Sequence, residues 1–402
     1  MRVAVIGSGV TGLGAACLLA RRHDIQLFER DQRAGGHANT VHHQGLALDT
    51  GFLVHNERNY PLLCRLFAEL GVATQESEMS FSVSCNGCGL EYSGRRPFAQ
   101  PRNAVRPQFH RLLWEIGRWL RTARQTLDAA DYTGQTLAAY LDEQRYSQRF
   151  RDHFLVPLTA ALWSTPPGRA LDYPAAAAIR FFDNHGMLGF RRFRWRTVTG
   201  GSCSYVGALT DTLKPHLHLG CGVRSLRRDA DCVELRLDDG ELRRFDAVVV
   251  ATHADQALAL LEDPTDTERR VLGSFEYTVN ETVLHTDSSL LPRSRSARAS
   301  WNYRTGDDGK ATLTYYLNRL QSLDGDRDFC VTLNQQVADE HVLARFQYAH
   351  PLFTTETLRA QTELGQLGRG RTLYAGAYFG NGFHEDGLAS GVEAAARLGV
   401  RW

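Results

Sequence analysis

The sequence predicts an α/β fold in which a parallel sheet is assembled from three separated stretches of chain, with an α+β region inserted between them. Three observations predict it. Short apolar, β-branched runs occur at the start, near 246–252 and near 372–376, each of a length suited to a strand buried on both faces. The first is followed at once by a glycine-punctuated helix pattern and a further strand. The chain has 402 residues, more than one core usually organises, so a second domain or large insertions are required.

The opening run, Arg2 to Ile6, leads into Gly7-Ser8-Gly9-Val10-Thr11-Gly12. Ala15 to Ala20 then reads as a helix with small residues toward a sheet, and Ile25 to Glu29 as the second strand of a βαβ unit. Gly7, Gly9 and Gly12 form a GxGxxG, with Thr11 inside the same turn. Gly7 permits the tight turn, Gly9 lets backbone approach a pyrophosphate, and Gly12 lets helix and strand pack closely. The helix N-terminus turns its positive end toward the phosphates. Glu29 stands 17 residues after Gly12, where a carboxylate accepts hydrogen bonds from ribose hydroxyls and repels a 2′-phosphate. The opening is therefore a Rossmann-like dinucleotide site that disfavours NADP.

Helical pattern covers about 107–128, 135–164 and 174–187. Strand signals return at 195–198 and dominate 217–252. Alternating segments near 276–287, 299–304, 311–318 and 328–334 predict an antiparallel sheet, and the chain ends in a strand at 372–376 and a helix from about Gly387. The nucleotide-binding pieces are interleaved with the rest. The expected boundaries are 1–60, 195–265 and 368–402 for a discontinuous cofactor domain, and 61–194 with 266–367 for a substrate domain.

Composition narrows the function. Lys+Arg 46 against Asp+Glu 45 leaves a net charge of +1, which disfavours a globally basic nucleic-acid binder. No apolar run approaches the roughly 20 residues of a spanning helix. The first residues lack the pattern of a signal peptide, so a cytoplasmic protein is expected. Eight scattered cysteines fit a reducing compartment. Cys85 and Cys88 form the one CxxC; the intervening Asn86-Gly87 is a turn signal, and the pair is read as flanking a hairpin turn, with no metal expected. Only Lys214 and Lys310 are lysines, which excludes most lysine-based mechanisms. No GxSxG, HExxH or paired CxxC is present.

Further motifs follow in order: Arg33-Ala34-Gly35-Gly36-His37, then Asp49-Thr50-Gly51-Phe52, then Thr199-Gly200-Gly201-Ser202, then Tyr374-Ala375-Gly376 and Glu385-Asp386-Gly387-Leu388-Ala389-Ser390-Gly391. Here the chain resembles the flavin-containing amine oxidase superfamily, which includes monoamine oxidases, protoporphyrinogen oxidases and carotenoid desaturases. The resemblance implies non-covalent FAD. It implies that Arg33, Gly35, Gly36, His37, Asp49, Gly51 and Phe52 run beside the diphosphate and flavin, and that Val223 begins the strand at the adenine. It implies too that Gly376, Asp386, Gly387 and Leu388 bring the last helix to the flavin ring. Within the superfamily, segments such as His55-Asn56-Glu57-Arg58, Arg180-Phe181-Phe182-Asp183-Asn184-His185-Gly186 and Tyr348-Ala349-His350-Pro351 are similar to a bacterial group of predicted NAD/FAD-binding oxidoreductases. That group is commonly encoded beside cyclopropane-fatty-acid-synthase-like methyltransferases, which implies a lipid acyl chain as substrate and such a methyltransferase as partner.

The chain also departs from the amine oxidases. Where they place a lysine near the flavin, this sequence has Asn280. Where they frame an amine between two aromatic rings, it has His384 at one position and Tyr378 or Phe379 at the other. A desaturase needs neither lysine nor cage; it needs a base for the second proton. His384 is the candidate base, with Glu385 or Asp386 expected to tune it; the alternative is a histidine that hydrogen-bonds and titrates nothing. Amine oxidation and a flavoprotein partner of a methyltransferase remain the rival functions. With one dinucleotide fingerprint present, oxygen or a quinone is the expected electron acceptor.

Arg95 to Arg124 holds eight arginines against the single acid Glu115. At about 100° per residue, Phe109, Leu112, Leu113, Ile116, Trp119 and Leu120 share one helix face, and Arg111, Arg118, Arg121 and Trp114 the other. A tryptophan in a cationic face suits a phospholipid headgroup layer, and peripheral attachment to the inner membrane face is one reading. A solvated helix face is the other. Phe190-Arg191-Arg192-Phe193-Arg194-Trp195 is a second basic-aromatic stretch.

Overall fold

The computed structural model describes residues 1–128, 134–189, 193–306, 311–368 and 370–402. Phe190, Arg191 and Arg192 of the second basic stretch, and Lys310, lie outside them.

Five strands form one all-parallel sheet. Its spatial order is Thr372–Tyr374, Ala247–Val250, Arg2–Ile6, Asp24–Phe28, Leu217–His218. The central strands are apolar on both faces because both are covered, one by the cluster around Leu13, Leu27 and Val249, the other by the cluster around Phe28, Val248 and Val250. The first helix, Val10–Leu19, and the last, His384–Arg397, cross in close contact. A Cβ on Gly14 would meet Leu388 at 2.5 Å and one on Gly391 would meet the Thr11 carbonyl at 2.5 Å. The small residues of both helices are what permit that approach. The last helix starts at His384, three residues before the position expected from sequence.

The second sheet has seven strands in the order Val342–Pro351, Tyr277–His285, Cys330–Leu333, Ala311–Tyr316, Trp301–Thr305, Phe81–Cys85, Leu90–Ser93. It is mixed, not purely antiparallel: Trp301–Thr305 runs parallel to Phe81–Cys85. That pairing joins chain segments over 200 residues apart, and no local pattern encodes it. A helical layer covers this sheet, with Pro107–Thr122, Leu137–Glu143, Val156–Trp163 and Ala175–Asn184 packing Trp119, Tyr140, Trp163 and Phe182 into a shared core. A three-stranded meander, Val223–Arg228, Val233–Leu237, Leu242–Phe245, leads back to the parallel sheet. Among the described residues no helix is long and apolar enough to cross a membrane.

Candidate active site

The loops that leave the C-terminal ends of the parallel strands converge. Gly7–Gly9 follows the first strand, Glu29 the second, Thr252 and His253 the fourth-segment strand Ala247–Val250, and Ala375–Gly376 the last. In open parallel sheets this edge is where ligands bind. A second glycine loop joins them there. Gly35 bridges Gly9, and the Gly35 N–H donates to the Ser8 carbonyl at 2.9 Å. A Cβ on Gly12 would lie 1.8 Å from the Gly7 carbonyl oxygen, so strand and helix close on each other only without a side chain there. A Cβ on Gly9 would meet nothing within 4 Å. The helix N-terminus therefore opens on free space lined by backbone from two glycine loops, a cradle that a pyrophosphate fits.

Glu29 accepts from the Ser8 N–H (2.9 Å), the Ser8 hydroxyl (2.7 Å) and the Asp31 N–H (3.0 Å). These bonds fix it at the cradle's rim and leave carboxylate lone pairs for a ribose. Other residues expected at the cofactor have structural tasks. Arg33 donates to the carbonyls of Ala34, Ala38 and Gly36, pinning its own loop. Asp49 is buried; it accepts from the Thr40 hydroxyl (2.6 Å) and from the N–H and hydroxyl of Ser202 (2.9 and 2.7 Å). It ties the D-x-G segment to the mid-chain double-glycine turn. Burial raises its pKa to about 6, against the pull of those donors. Gly51 lies against the His37 backbone, and Phe52 stacks on His384 with ring centroids 4.1 Å apart. Val223 begins the meander, half-buried opposite Leu237. Gly376 donates its N–H to Ser390 of the last helix at 2.9 Å, and Gly387 abuts Thr11.

Beyond the cradle stand four histidines. His37 lies with its ring 5.8 Å from His253 and 5.4 Å from His350. His384 heads the last helix and feels the field of His37. Each is half-buried. Burial, then the positive field of a neighbouring histidine, drives His37 and His253 down to about 4 and His350 and His384 to about 3. All four are neutral imidazoles at pH 7.

Asn280, 1% exposed, is the hub behind them. Its amide N–H groups donate to His350 Nδ1 (3.0 Å) and the Ser164 carbonyl (3.2 Å), and its oxygen accepts from Asn334 at 2.6 Å. An Nδ1 that accepts places the His350 proton on Nε2. The sequence located Asn280 but did not aim His350. Strand pairing does that: Thr278 stands opposite His350, and Asn280 opposite Tyr348.

Two expectations need correction. Among the described residues His384 has no carboxylate partner: Glu385 accepts from the Leu62 and Leu63 N–H groups, capping the helix Pro61–Leu70, and Asp386 accepts from the Phe383 N–H. Its buried Nε2 has no hydrogen-bond partner. Tyr378 belongs to the core, packed between Phe275 and Phe379, rather than to a ring cage opposite His384. Of the remaining histidines, His185 stacks on Phe181, and His153 lies 3.8 Å from the Cys88 sulfur.

Residues 10–305 match the family model of flavin containing amine oxidoreductases. The chain belongs to that family. It is thus an FAD-dependent oxidoreductase. Among solved structures it superposes on wild-type putrescine oxidase bound to putrescine with a TM-score of 0.74 at 14% identity, covering 100% of both chains. Cyclohexylamine oxidase from Brevibacterium oxydans IH-35A gives 0.72 at 16%, covering 99% and 98%. A CLA-producing fatty acid isomerase from P. acnes gives 0.71 at 17%, again covering 99% and 98%. At these identities the likeness is one of fold. A 4,4'-diapophytoene desaturase of Staphylococcus aureus (strain Newman) is 42% identical over 52 residues, 13% of this chain and 10% of that enzyme. The match spans about a tenth of the length of such curated relatives.

Proposed function

We propose that the enzyme dehydrogenates a lipid acyl chain. The observation that carries this reading is the neutrality of the histidine cluster. At pH 7 the four are uncharged, and among the described residues no carboxylate bonds to any of them, so the cluster offers an ammonium no counter-charge. A buried alkylammonium needs such a counter-charge, and Asn280 stands where the amine oxidases carry lysine. A neutral hydrocarbon needs none.

In this reading the glycine loops at Gly7–Gly12 and Gly35–Gly36 hold the FAD diphosphate without covalent attachment, and Glu29 holds the ribose. FAD, when bound, supplies the acceptor for a hydride. Loss of a hydride from one methylene leaves the adjacent C–H strongly acidic, so a weak base suffices for the proton. The unpartnered Nε2 of His384 is that base, held flat by Phe52. His350, fixed by Asn280, presents an Nε2–H donor to the same site. Oxygen or a quinone then takes the electrons.

The cationic segment supports a lipid substrate. Trp119, Phe109 and Leu112 face the core, whereas Trp114 (58% exposed), Val105 (81%) and Phe98 (49%) stand in solvent among Arg106, Arg111 and Arg121. Exposed apolar groups rimmed by cations suit an anionic membrane surface. Four members of the stretch are otherwise engaged. Arg95 pairs with Glu78, Arg102 donates to the Gly89 carbonyl, Arg118 stacks on Tyr146 and Arg124 pairs with Asp183.

An anaerobic titration of the flavin absorbance tests the reading. Phospholipid micelles carrying unsaturated, methyl-branched or cyclopropane chains are expected to bleach it, and amines to leave it unchanged. Bleaching by amines alone would overturn the lipid assignment. No bleaching by either, with a lipid methyltransferase co-purifying, would favour the scaffold role.

A further inference from the structure

The turn between strands Phe81–Cys85 and Leu90–Ser93 is the hairpin that the sequence predicts, but it does not stand alone. A π-helical turn, Arg151–Leu155, packs against it and brings His153 beside both cysteines. The three potential ligand atoms lie within 4.8 Å of one another, with Cys88 Sγ and His153 Nε2 at 3.8 Å. Tetrahedral zinc, with Zn–S about 2.3 Å and Zn–N about 2.0 Å, sets an S···N edge of about 3.5 Å.

Further features prepare the site. The backbone N–H groups of Gly87 and Cys88 point at the Cys85 sulfur, and that of Leu90 points at the Cys88 sulfur, an arrangement that stabilises thiolates. The widened turn frees the His153 carbonyl to accept from the Tyr92 hydroxyl at 2.6 Å, which sets the ring's direction. His153 Nδ1 is buried without a partner, leaving Nε2 as the functional nitrogen. All three side chains are half-buried, so a fourth position can hold water.

We propose that Cys85, Cys88 and His153 form a zinc site, with two thiolates and a neutral imidazole as ligands and water completing the tetrahedron. Two thiolates balance the charge of Zn²⁺, and the donor set is soft enough to prefer it over magnesium or calcium. The ion ties the edge strand Leu90–Ser93 to the turn that continues into the helix Val156–Trp163. It thus clips the mixed sheet to its helical layer, away from the cradle.

The test uses the FAD-loaded full chain, purified under reducing conditions without a metal-binding tag. Elemental analysis is expected to find about one zinc per chain, and Cys88→Ser and His153→Ala to lose it while retaining flavin. Cobalt replacement in the wild-type protein is expected to give sulfur-to-metal charge-transfer absorption and the intense visible bands of a tetrahedral site, a readout that needs no variant to fold. Zinc below about a tenth of an equivalent after equilibration with zinc, together with octahedral cobalt spectra, would overturn the proposal. A Cys85–Cys88 disulfide in the reduced preparation would overturn it as well.

Discussion

The two sheets of this enzyme meet at one cluster of histidines, yet their contributions are built differently. The cofactor cradle of the parallel sheet is mostly backbone: glycine loops, a helix N-terminus and one carboxylate, all within about 30 positions of each other, with His37, His253 and His384 leaving the same sheet's loops and last helix. The mixed sheet contributes side chains, His350 and Asn280, whose placement depends on pairing Tyr277–His285 with Val342–Pro351. A backbone site tolerates many side chains but no added Cβ. A side-chain site tolerates a changed backbone neighbour but not a lost hydrogen bond.

The largest effect that sharpens this contrast is at Gly12. Gly12→Ala puts a methyl into the Gly7 carbonyl and is expected to cost more than about 4 kcal/mol, seen as insoluble or flavin-free protein. Gly9→Ala, three residues away, meets open space. It is expected to fold with a near-normal melting temperature and to bind FAD weakly, measured by flavin retained after gel filtration. Equal melting losses in both variants would show that the cradle is packing and not a ligand site.

On the mixed-sheet side, Asn280→Leu strands the Asn334 amide, the Ser164 carbonyl and His350 Nδ1. It is expected to lower stability by about 1–3 kcal/mol. His350→Gln keeps the fold and removes the oriented N–H. With flavin content unchanged, turnover is expected to fall about 10²-fold, in kcat more than KM. A KM effect alone would reduce His350 to a wall of the site.

The same contrast explains what could be read from sequence. The GxGxxG and Glu29 are local, so their spacing carries their geometry. Asp49 was legible as important but not in role: its partner Ser202 lies in another segment, and only the fold reveals a clamp. Glu115 illustrates the reverse. It reads as the lone acid on a cationic surface, yet it is buried and accepts from the N–H and hydroxyl of Ser147. The CxxC turn was legible, whereas His153, 65 positions beyond Cys88, was not. Periodicity finds strands; it does not say which distant strand will be the neighbour.

Stability against pH breaks the comparison in a third way. The four histidines have folded pKa values of about 3–4, below the ordinary 6.5, so the unfolded chain takes up protons first as pH falls. Their contribution is intact above 6.5 and is lost progressively between 6.5 and about 4. Asp49 and Asp386, both raised by burial to about 6, act oppositely: the folded state holds their protons, so they favour folding as pH falls from 6 toward 3.8. His55, His185 and His285, also lowered to about 4 by burial, add to the histidines, so seven groups oppose two, and urea midpoints are expected to fall between pH 7 and pH 5. His350→Gln should flatten that slope by about one proton, and Asp49→Asn should steepen it. An unchanged slope in His350→Gln would mean that the imidazole titrates normally.

The smallest effect concerns the surface, where neither sheet contributes. Arg111→Glu with Arg121→Glu is expected to weaken binding to phosphatidylserine vesicles by about 1 kcal/mol for each cation lost, and further for each acid gained. Trp114→Ser should weaken it by a similar amount through lost apolar insertion. Both are exposed changes, so unfolding stability should stay within about 0.5 kcal/mol of wild type. The discriminating measurement compares turnover on micelle-bound lipid with turnover on a short-chain, freely soluble analogue. If the segment delivers substrate, only the first falls. If both fall together, the helix acts through the core beneath it, by way of Trp119 and the aromatic cluster it anchors, and the cationic face is merely solvated.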